Sequence, residues 1–225
     1  MKDKIQEWNT CWGDVYNLER KNQYREFLLR LSYLDILGRT LIDVGCGIKS
    51  VIDHLPSHRH KKVFVDLSSG IYQRNPSSSH DTYIRMDLHR LTENNHRDFK
   101  RFMKKLYTFL GEERGNRASS GLFHKLGFVD SIVYSDILNY IDYRNVMRAL
   151  YKNLRSGGRK IIFNKINMGF QHLLSPSRPK SNWELLCFLQ HDLRMVIEYR
   201  ESYPIIRGDP HLADHAVFVI IAKKK

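Results

Sequence analysis

A chain of 225 residues, 42% hydrophobic and 27% charged, has the length and composition to bury one full core, and a single domain over residues 1–225 is expected. No apolar run approaches a membrane span and the first residues lack the apolar stretch of a secretion signal, so membrane insertion is not expected and a cytoplasmic setting is. The net charge of +13 favours anionic partners, nucleic acid among them, yet the Lys and Arg clusters are short and none alternates with aromatics as a base-stacking surface would. Cys11, Cys46 and Cys187 have no metal-ligand spacing and cannot all pair, and no His, Asp or Glu set argues for a metal.

In chain order, Trp8, Trp12 and Tyr16 recur every four residues and would share one helical face. That face either packs on the core or covers a binding site. Tyr24, Phe27, Leu28, Leu31 and Leu34 form the apolar stripe of a core helix over residues 23–35, which Gly38 is expected to end. Thr40-Leu41-Ile42 reads as a strand running into Asp43. The turn Gly45-Cys46-Gly47 follows, and Ser50, Val51, Ile52 and Leu55 predict the first turn of a helix that Pro56 stops.

Strand, glycine turn and helix are the first βα unit of a nucleotide-binding Rossmann-like sheet, in which glycine lets backbone N–H groups approach a ligand. A plain structural βα loop is the alternative. Val63-Phe64-Val65 is a second strand closing on Asp66, at about the interval where such folds place a ribose-binding carboxylate. Tyr83 to Met86 is a third, closing on Asp87. Residues 93–110 predict a helix with Phe99, Phe102, Met103, Leu106 and Phe109 on one side, ended by Gly111. The polar, glycine-rich stretch to Gly121 predicts a mobile surface loop.

Val129 to Tyr134 is a fourth strand, with Ser135-Asp136-Ile137-Leu138-Asn139-Tyr140 at its end. Asp142 is placed to cap a helix running to Leu154, and Gly157-Gly158 to stop it before a fifth strand over Lys160 to Asn164. A short helix over Trp183 to Gln190 is expected to turn Trp183, Leu186 and Leu189 inward. Residues 194–203 and 216–222 predict two closing strands.

The segments Asp43-Val44-Gly45-Cys46-Gly47, Val65-Asp66-Leu67-Ser68, Met86-Asp87-Leu88, Ser135 to Tyr140 and Leu154 to Ile162 resemble successive motifs of the class I S-adenosylmethionine-dependent methyltransferases. The resemblance runs from about residue 40 to the C-terminus, with Lys49 standing near the place of that family's third glycine. It implies an α/β fold: a seven-stranded, mostly parallel Rossmann-like methyltransferase sheet with an antiparallel C-terminal hairpin and helices on both faces. Residues 40–225 would be the cofactor-binding core, and residues 1–38 a helical lid or cap. It also implies an enzyme with S-adenosylmethionine as cofactor.

Carried onto this chain, the resemblance gives Gly45, Cys46 and Gly47 backbone contact with the amino-acid moiety, and Asp43 the orientation of the turn or of the ammonium group. Asp66 would accept both ribose hydroxyls, with Leu67 against the adenine. Asp87 would accept the adenine amino group with Leu88 beside it, and Ser135 and Asp136 would flank the sulfonium. Loop capping is the structural alternative for Asp66 and Asp87.

The acceptor side is more open. Asp136 to Tyr140 lacks the prolines of the Asp/Asn-Pro-Pro-aromatic tetrad, which argues against methylation of exocyclic base amines by that route. Tyr140, Asn164 and His172 are the candidates for orienting an acceptor or taking its proton, against packing or turn-capping roles. With no appended recognition domain, a small-molecule acceptor is expected. An RNA-directed methyltransferase and a non-catalytic partner that keeps the fold are the alternatives.

Overall fold

Seven strands form one sheet in the computed structural model, which describes residues 16–47, 50–67, 81–91, 96–111, 128–165, 173–204 and 216–225. They are β1 (Thr40–Val44), β2 (Lys61–Asp66), β3 (Asp81–Arg85), β4 (Val129–Ser135), β5 (Leu154–Asn164), β6 (Met195–Pro204) and β7 (Ala216–Lys224). The spatial order is β3-β2-β1-β4-β5-β7-β6. Strands β1 to β5 pair in parallel, and β7 runs antiparallel to both β5 and β6. The expected mostly parallel sheet with its antiparallel closing pair is therefore present. The chain walks outward from β1 to β3 and returns to place β4 on the other side of β1. That reversal opens a crevice at the C-terminal ends of β1 and β4, where open α/β sheets bind ligands.

The sheet is buried on both faces because alternate residues of each strand are apolar on opposite sides. Ile42, Val44, Ile132, Tyr134 and Ile162 pack beneath α2 (His96–Gly111), α3 (Tyr143–Tyr151) and α4 (Asn182–Cys187). Leu41, Phe64, Val133, Ile161 and Phe163 pack against α1 (Tyr16–Tyr33) and the turns that follow β1. On α1 the buried stripe is Tyr24, Leu28 and Leu31, whereas Leu34 is 69% exposed. Asp142 caps α3 as expected, its carboxylate accepting the Asn145 N–H at 3.3 Å.

Several boundaries fall elsewhere than the sequence predicts. Helix α1 is continuous from Tyr16, through the point where two separate segments were expected. It ends before Gly38 is reached: Asp35 takes the left-handed conformation (φ 54°), and Ile36 N–H and Asp35 N–H return to Leu31 O and Ser32 O at 2.9 and 3.1 Å. Leu34 thereby turns off the core face.

Among the described residues no helix follows β1. Residues 51–59 are a run of turns, because Asp43 claims the Val51 N–H and the Ser50 hydroxyl, and Lys62 claims the Asp53 and Leu55 carbonyls at 3.1 and 3.0 Å. Lys62 is itself buried and ion-paired to Asp81 at 3.5 Å. The space a helix would fill on this face belongs to α1.

Helix α3 stops at Tyr151, and β5 already starts at Leu154. Leu154 pairs with Val129 and Arg159 with Ser131, so Gly157 and Gly158 sit in a bulge within the strand rather than ahead of it. On α4, Leu186 and the following Leu189 are buried, but Trp183 is 68% exposed. Ser181 caps that helix through the Glu184 N–H at 3.0 Å, which sets Trp183 on the outer side.

Candidate functional site

Strand β1 delivers Asp43 to the crevice with no solvent exposure. Its Oδ2 accepts the Ser50 hydroxyl at 2.5 Å and the Val51 N–H at 3.3 Å, while Oδ1 has no hydrogen-bond partner among the described residues. Burial is the main reason its carboxyl is pushed up from 3.8 to about 6, with Ser50 and then Lys21 opposing the rise. A buried, half-satisfied carboxylate at a topological switch point is costly to the fold and suited to a cationic ligand.

The turn after β1 is pinned to β2 at both ends. Gly45 and Cys46 donate to Val65 O at 2.8 and 3.3 Å, and Gly47 N–H donates to the Asp66 carboxylate at 2.8 Å. Gly45 (φ 72°) and Gly47 (φ 62°) are both left-handed, the conformation glycine takes without a Cβ penalty. Cys46 is buried in the apolar cluster, and burial raises its thiol. Leu67 follows Asp66 and is half-buried.

Strand β4 contributes the opposite wall. Ser135 is buried with its hydroxyl unpartnered among the described residues. Asp136 adopts a left-handed backbone (φ 57°), a conformation that Asp tolerates and that turns the chain sharply at the strand end. Its N–H donates to Phe163 O at 2.8 Å, and its carboxylate accepts the Tyr24 phenol at 3.3 Å.

Two α1 residues at this edge carry no assignment from the sequence. Tyr24, read there as core, stacks on Phe163 with ring centroids 4.3 Å apart and reaches Asp136 with its hydroxyl. Lys21, one turn earlier, points its ammonium at Cys46 O, 3.4 Å away. The signal was available: positions 21, 24, 28 and 31 lie on one helical face, so the buried stripe of α1 begins with a lysine.

The remaining candidates stand at the ends of β3, β4 and β5 and in the loops that follow them. Asp87, beyond β3, caps a single 3₁₀ turn (Leu88–Arg90), accepting the His89 N–H at 3.0 Å, and Leu88 is buried under α2. Tyr140 is buried, its N–H bonded to Ile137 O at 3.0 Å. The side-chain amide of the neighbouring Asn139 donates to Lys165 O at 2.5 Å and its backbone carbonyl accepts the Ser175 N–H at 2.8 Å, tying the β4 loop to the segment after β5. Asn164, at the end of β5, has no solvent exposure, and neither its amide nitrogen nor its oxygen has a hydrogen-bond partner among the described residues. His172, Lys49, Trp8, Trp12 and the stretch from 112 to 121 lie outside the described residues.

Solved structures share this architecture across essentially the whole chain. The Burkholderia thailandensis 1,6-didemethyltoxoflavin-N1-methyltransferase, solved with 1,6-didemethyltoxoflavin and S-adenosylhomocysteine, superposes with a TM-score of 0.62 at 13% identity, over 100% of this chain and 87% of that one. The N-methyltransferase NodS of Bradyrhizobium japonicum WM9, in complex with S-adenosylhomocysteine, gives 0.61 at 13% identity over 99% and 98%. A geranyl diphosphate methyltransferase, solved with GPP and sinefungin, gives 0.57 at 16% over 91% and 78%. No protein-family profile matches the chain, and no curated protein does. The fold is that of the class I S-adenosylmethionine-dependent methyltransferases.

Proposed function

We propose that the protein is an S-adenosylmethionine-dependent methyltransferase that acts on a small molecule. The observation that carries this is the crevice between β1 and β4. Its glycine turn is bracketed by Asp43 and Asp66, with Asp136 opposite, and Asp43 presents an unpartnered buried oxygen. Carboxylates at the ends of adjacent parallel strands suit a ligand with one cationic end and a ribose. The fold supports the same cofactor, since solved proteins of this architecture are described with S-adenosylhomocysteine bound.

In this reading Asp43 holds the ammonium group, and the Gly45–Gly47 backbone lies along the amino-acid moiety. Asp66 takes the ribose hydroxyls and keeps its bond to Gly47. Leu67, Asp87 and Leu88 surround the adenine, Asp87 with the oxygen not used on His89. Ser135 and Asp136 flank the sulfur. The bound cofactor supplies an already activated methyl group, so the protein's own task is to align, to exclude water and, for some acceptors, to take a proton. Tyr24 and α1 close the crevice on one side, the role proposed for residues 1–38 as a cap. Asn164 and Tyr140 stand on the acceptor side, and Asn164 has two polar atoms to offer an amide or hydroxyl. Cys46 and Cys187 are both free thiols, which fits a reducing, cytoplasmic setting.

Small-molecule transfer rests on the company of small-molecule enzymes among the solved structures and on Lys and Arg clusters that do not alternate with aromatics in the sequence. Incubation with radiolabelled S-adenosylmethionine and separate low-mass and RNA fractions is expected to label the low-mass fraction. Label in RNA alone would transfer the assignment to the RNA-directed alternative. Failure to bind S-adenosylhomocysteine would end the methyltransferase reading itself.

Asp66→Ala is expected to weaken S-adenosylhomocysteine by about 1.5–3 kcal/mol, the range for hydrogen bonds to a charged group, while the sheet stays folded. Titration calorimetry on the variant measures this, and unchanged affinity in a folded protein would remove Asp66 from the site.

A further inference from the structure

Three carboxylates converge on the crevice, yet an amino-acid moiety brings a carboxylate of its own. Asp43, Asp66 and Asp136 match an ammonium group and repel that carboxylate, so a bare acidic pocket would hold one end of the ligand and reject the other. A cation is needed at the turn, and Lys21 supplies one. Its Nζ lies 3.4 Å from Cys46 O, and a Cβ placed on Gly47 would come within 3.4 Å of the same nitrogen. The ammonium therefore sits directly over the glycine turn. Burial lowers its pKa, and Asp43, Cys46, Asp136 and Asp66 act in the opposite direction. The neighbouring α1 cation, Arg25, is engaged elsewhere, with Asp53 at 2.8 Å and Ser50 O at 3.0 Å.

Building on the proposed cofactor, we propose that Lys21 is the anchor for the cofactor's α-carboxylate. In the ligand-free protein its ammonium rests on the Cys46 carbonyl among the three acids. On binding, the ligand's ammonium takes the free oxygen of Asp43, and the Lys21 ammonium, already held over the glycine turn, makes a charge-assisted bond to the carboxylate. The flexible four-carbon stem permits that bond without movement of α1. Because Lys21 and Tyr24 share a helical face, the same helix that caps the crevice would read whether the amino-acid end is intact.

The test compares two ligands by titration calorimetry on the full chain: S-adenosylhomocysteine and its decarboxylated analogue, which keeps the adenosine, the thioether and the ammonium group. Wild-type protein is expected to prefer S-adenosylhomocysteine by about tenfold or more. Lys21→Met should lose that preference, binding S-adenosylhomocysteine about 10- to 100-fold more weakly and the two ligands within about twofold of each other. Lys21→Arg should restore most of the preference.

If Lys21→Met binds S-adenosylhomocysteine as well as or better than wild type, or weakens both ligands by one factor, the proposal is overturned and Lys21 is an internal cation only. Thermal melts accompany each titration. Should the methionine variant not fold, Lys21→Gln, which keeps an N–H donor for Cys46, carries the same comparison with the same two outcomes. Wild-type protein that binds neither ligand would overturn the cofactor assignment, a result distinct from binding without discrimination.

Discussion

Replacing Asp43 by asparagine is expected to stabilise the ligand-free protein at pH 7.5 and to weaken cofactor binding at the same time. Asp43 is completely buried, one oxygen is unpartnered among the described residues, and burial raises its carboxyl from 3.8 to about 6. A carboxyl whose folded pKa lies above its unfolded one holds its proton more tightly in the folded state. Its favourable contribution is thus complete below about pH 4 and is lost as pH rises through about 6. Above that pH the ionised form costs the fold up to about 3 kcal/mol.

Asparagine can still accept from Ser50 and Val51 and has no charge to bury. Part of the gain is offset by the amide hydrogens it places at the free oxygen. A net gain of about 2 kcal/mol, or roughly 4–8 °C in Tm for a chain of this size, is expected at pH 7.5. The gain should vanish near pH 4, where Asp43 is protonated. Affinity for S-adenosylhomocysteine should fall by about tenfold or more, because an amide offers no charge to the ammonium group. Melts at the two pH values and one titration decide the matter. A variant that is less stable at pH 7.5 would show that the ionised carboxylate supports the fold after all.

Gly45→Ala is expected to be the most damaging small substitution in the site. Gly45 has φ 72°, and a Cβ there would lie 2.4 Å from Ile137 Cγ1 and 2.6 Å from its Cδ1. The left-handed backbone alone costs a residue with a side chain about 1–2 kcal/mol, and the overlap adds about 1–3 kcal/mol. A loss of about 3 kcal/mol is expected, roughly 6–12 °C in Tm. Cofactor affinity should fall as well, because the turn must move away from Val65 O. Gly47→Ala provides the contrast. It is also left-handed, but its nearest neighbour among the described residues would be the far end of the Lys21 side chain at 3.4 Å, so only the backbone cost of about 1–2 kcal/mol applies. Ile137→Ala combined with Gly45→Ala should recover part of the steric loss and none of the backbone loss. Equal melting temperatures for the two alanine variants would show that Ile137 yields freely.

Much of this molecule was legible before any fold was drawn. Short apolar runs leading to Asp43, Asp66 and Asp87 marked three strands, although β3 ends at Arg85 before Asp87 is reached. Periodicity found α2 and the buried part of α1, and Asp142 announced its own helix through cap chemistry. These signals are local: each depends on neighbours within a few positions, where backbone geometry and side-chain period act directly.

What the sequence misplaced was decided at longer range. The turns after β1 stay non-helical because Asp43 and Lys62 take their polar groups, and Lys62 is held in turn by Asp81 from β3. The glycines at 157 and 158 became a bulge because β5 pairs with β4 on both sides of them. Trp183 points outward because Ser181 sets the start of its helix. Above all, the acids of three strand ends come under Lys21 and Tyr24 only because α1 packs across the sheet that follows it. A lysine at the head of an apolar stripe shows in the sequence as a charge to be explained. Its partners, between 22 and 115 residues further along the chain, exist as partners only once the sheet has brought Asp43, Asp66 and Asp136 to one edge.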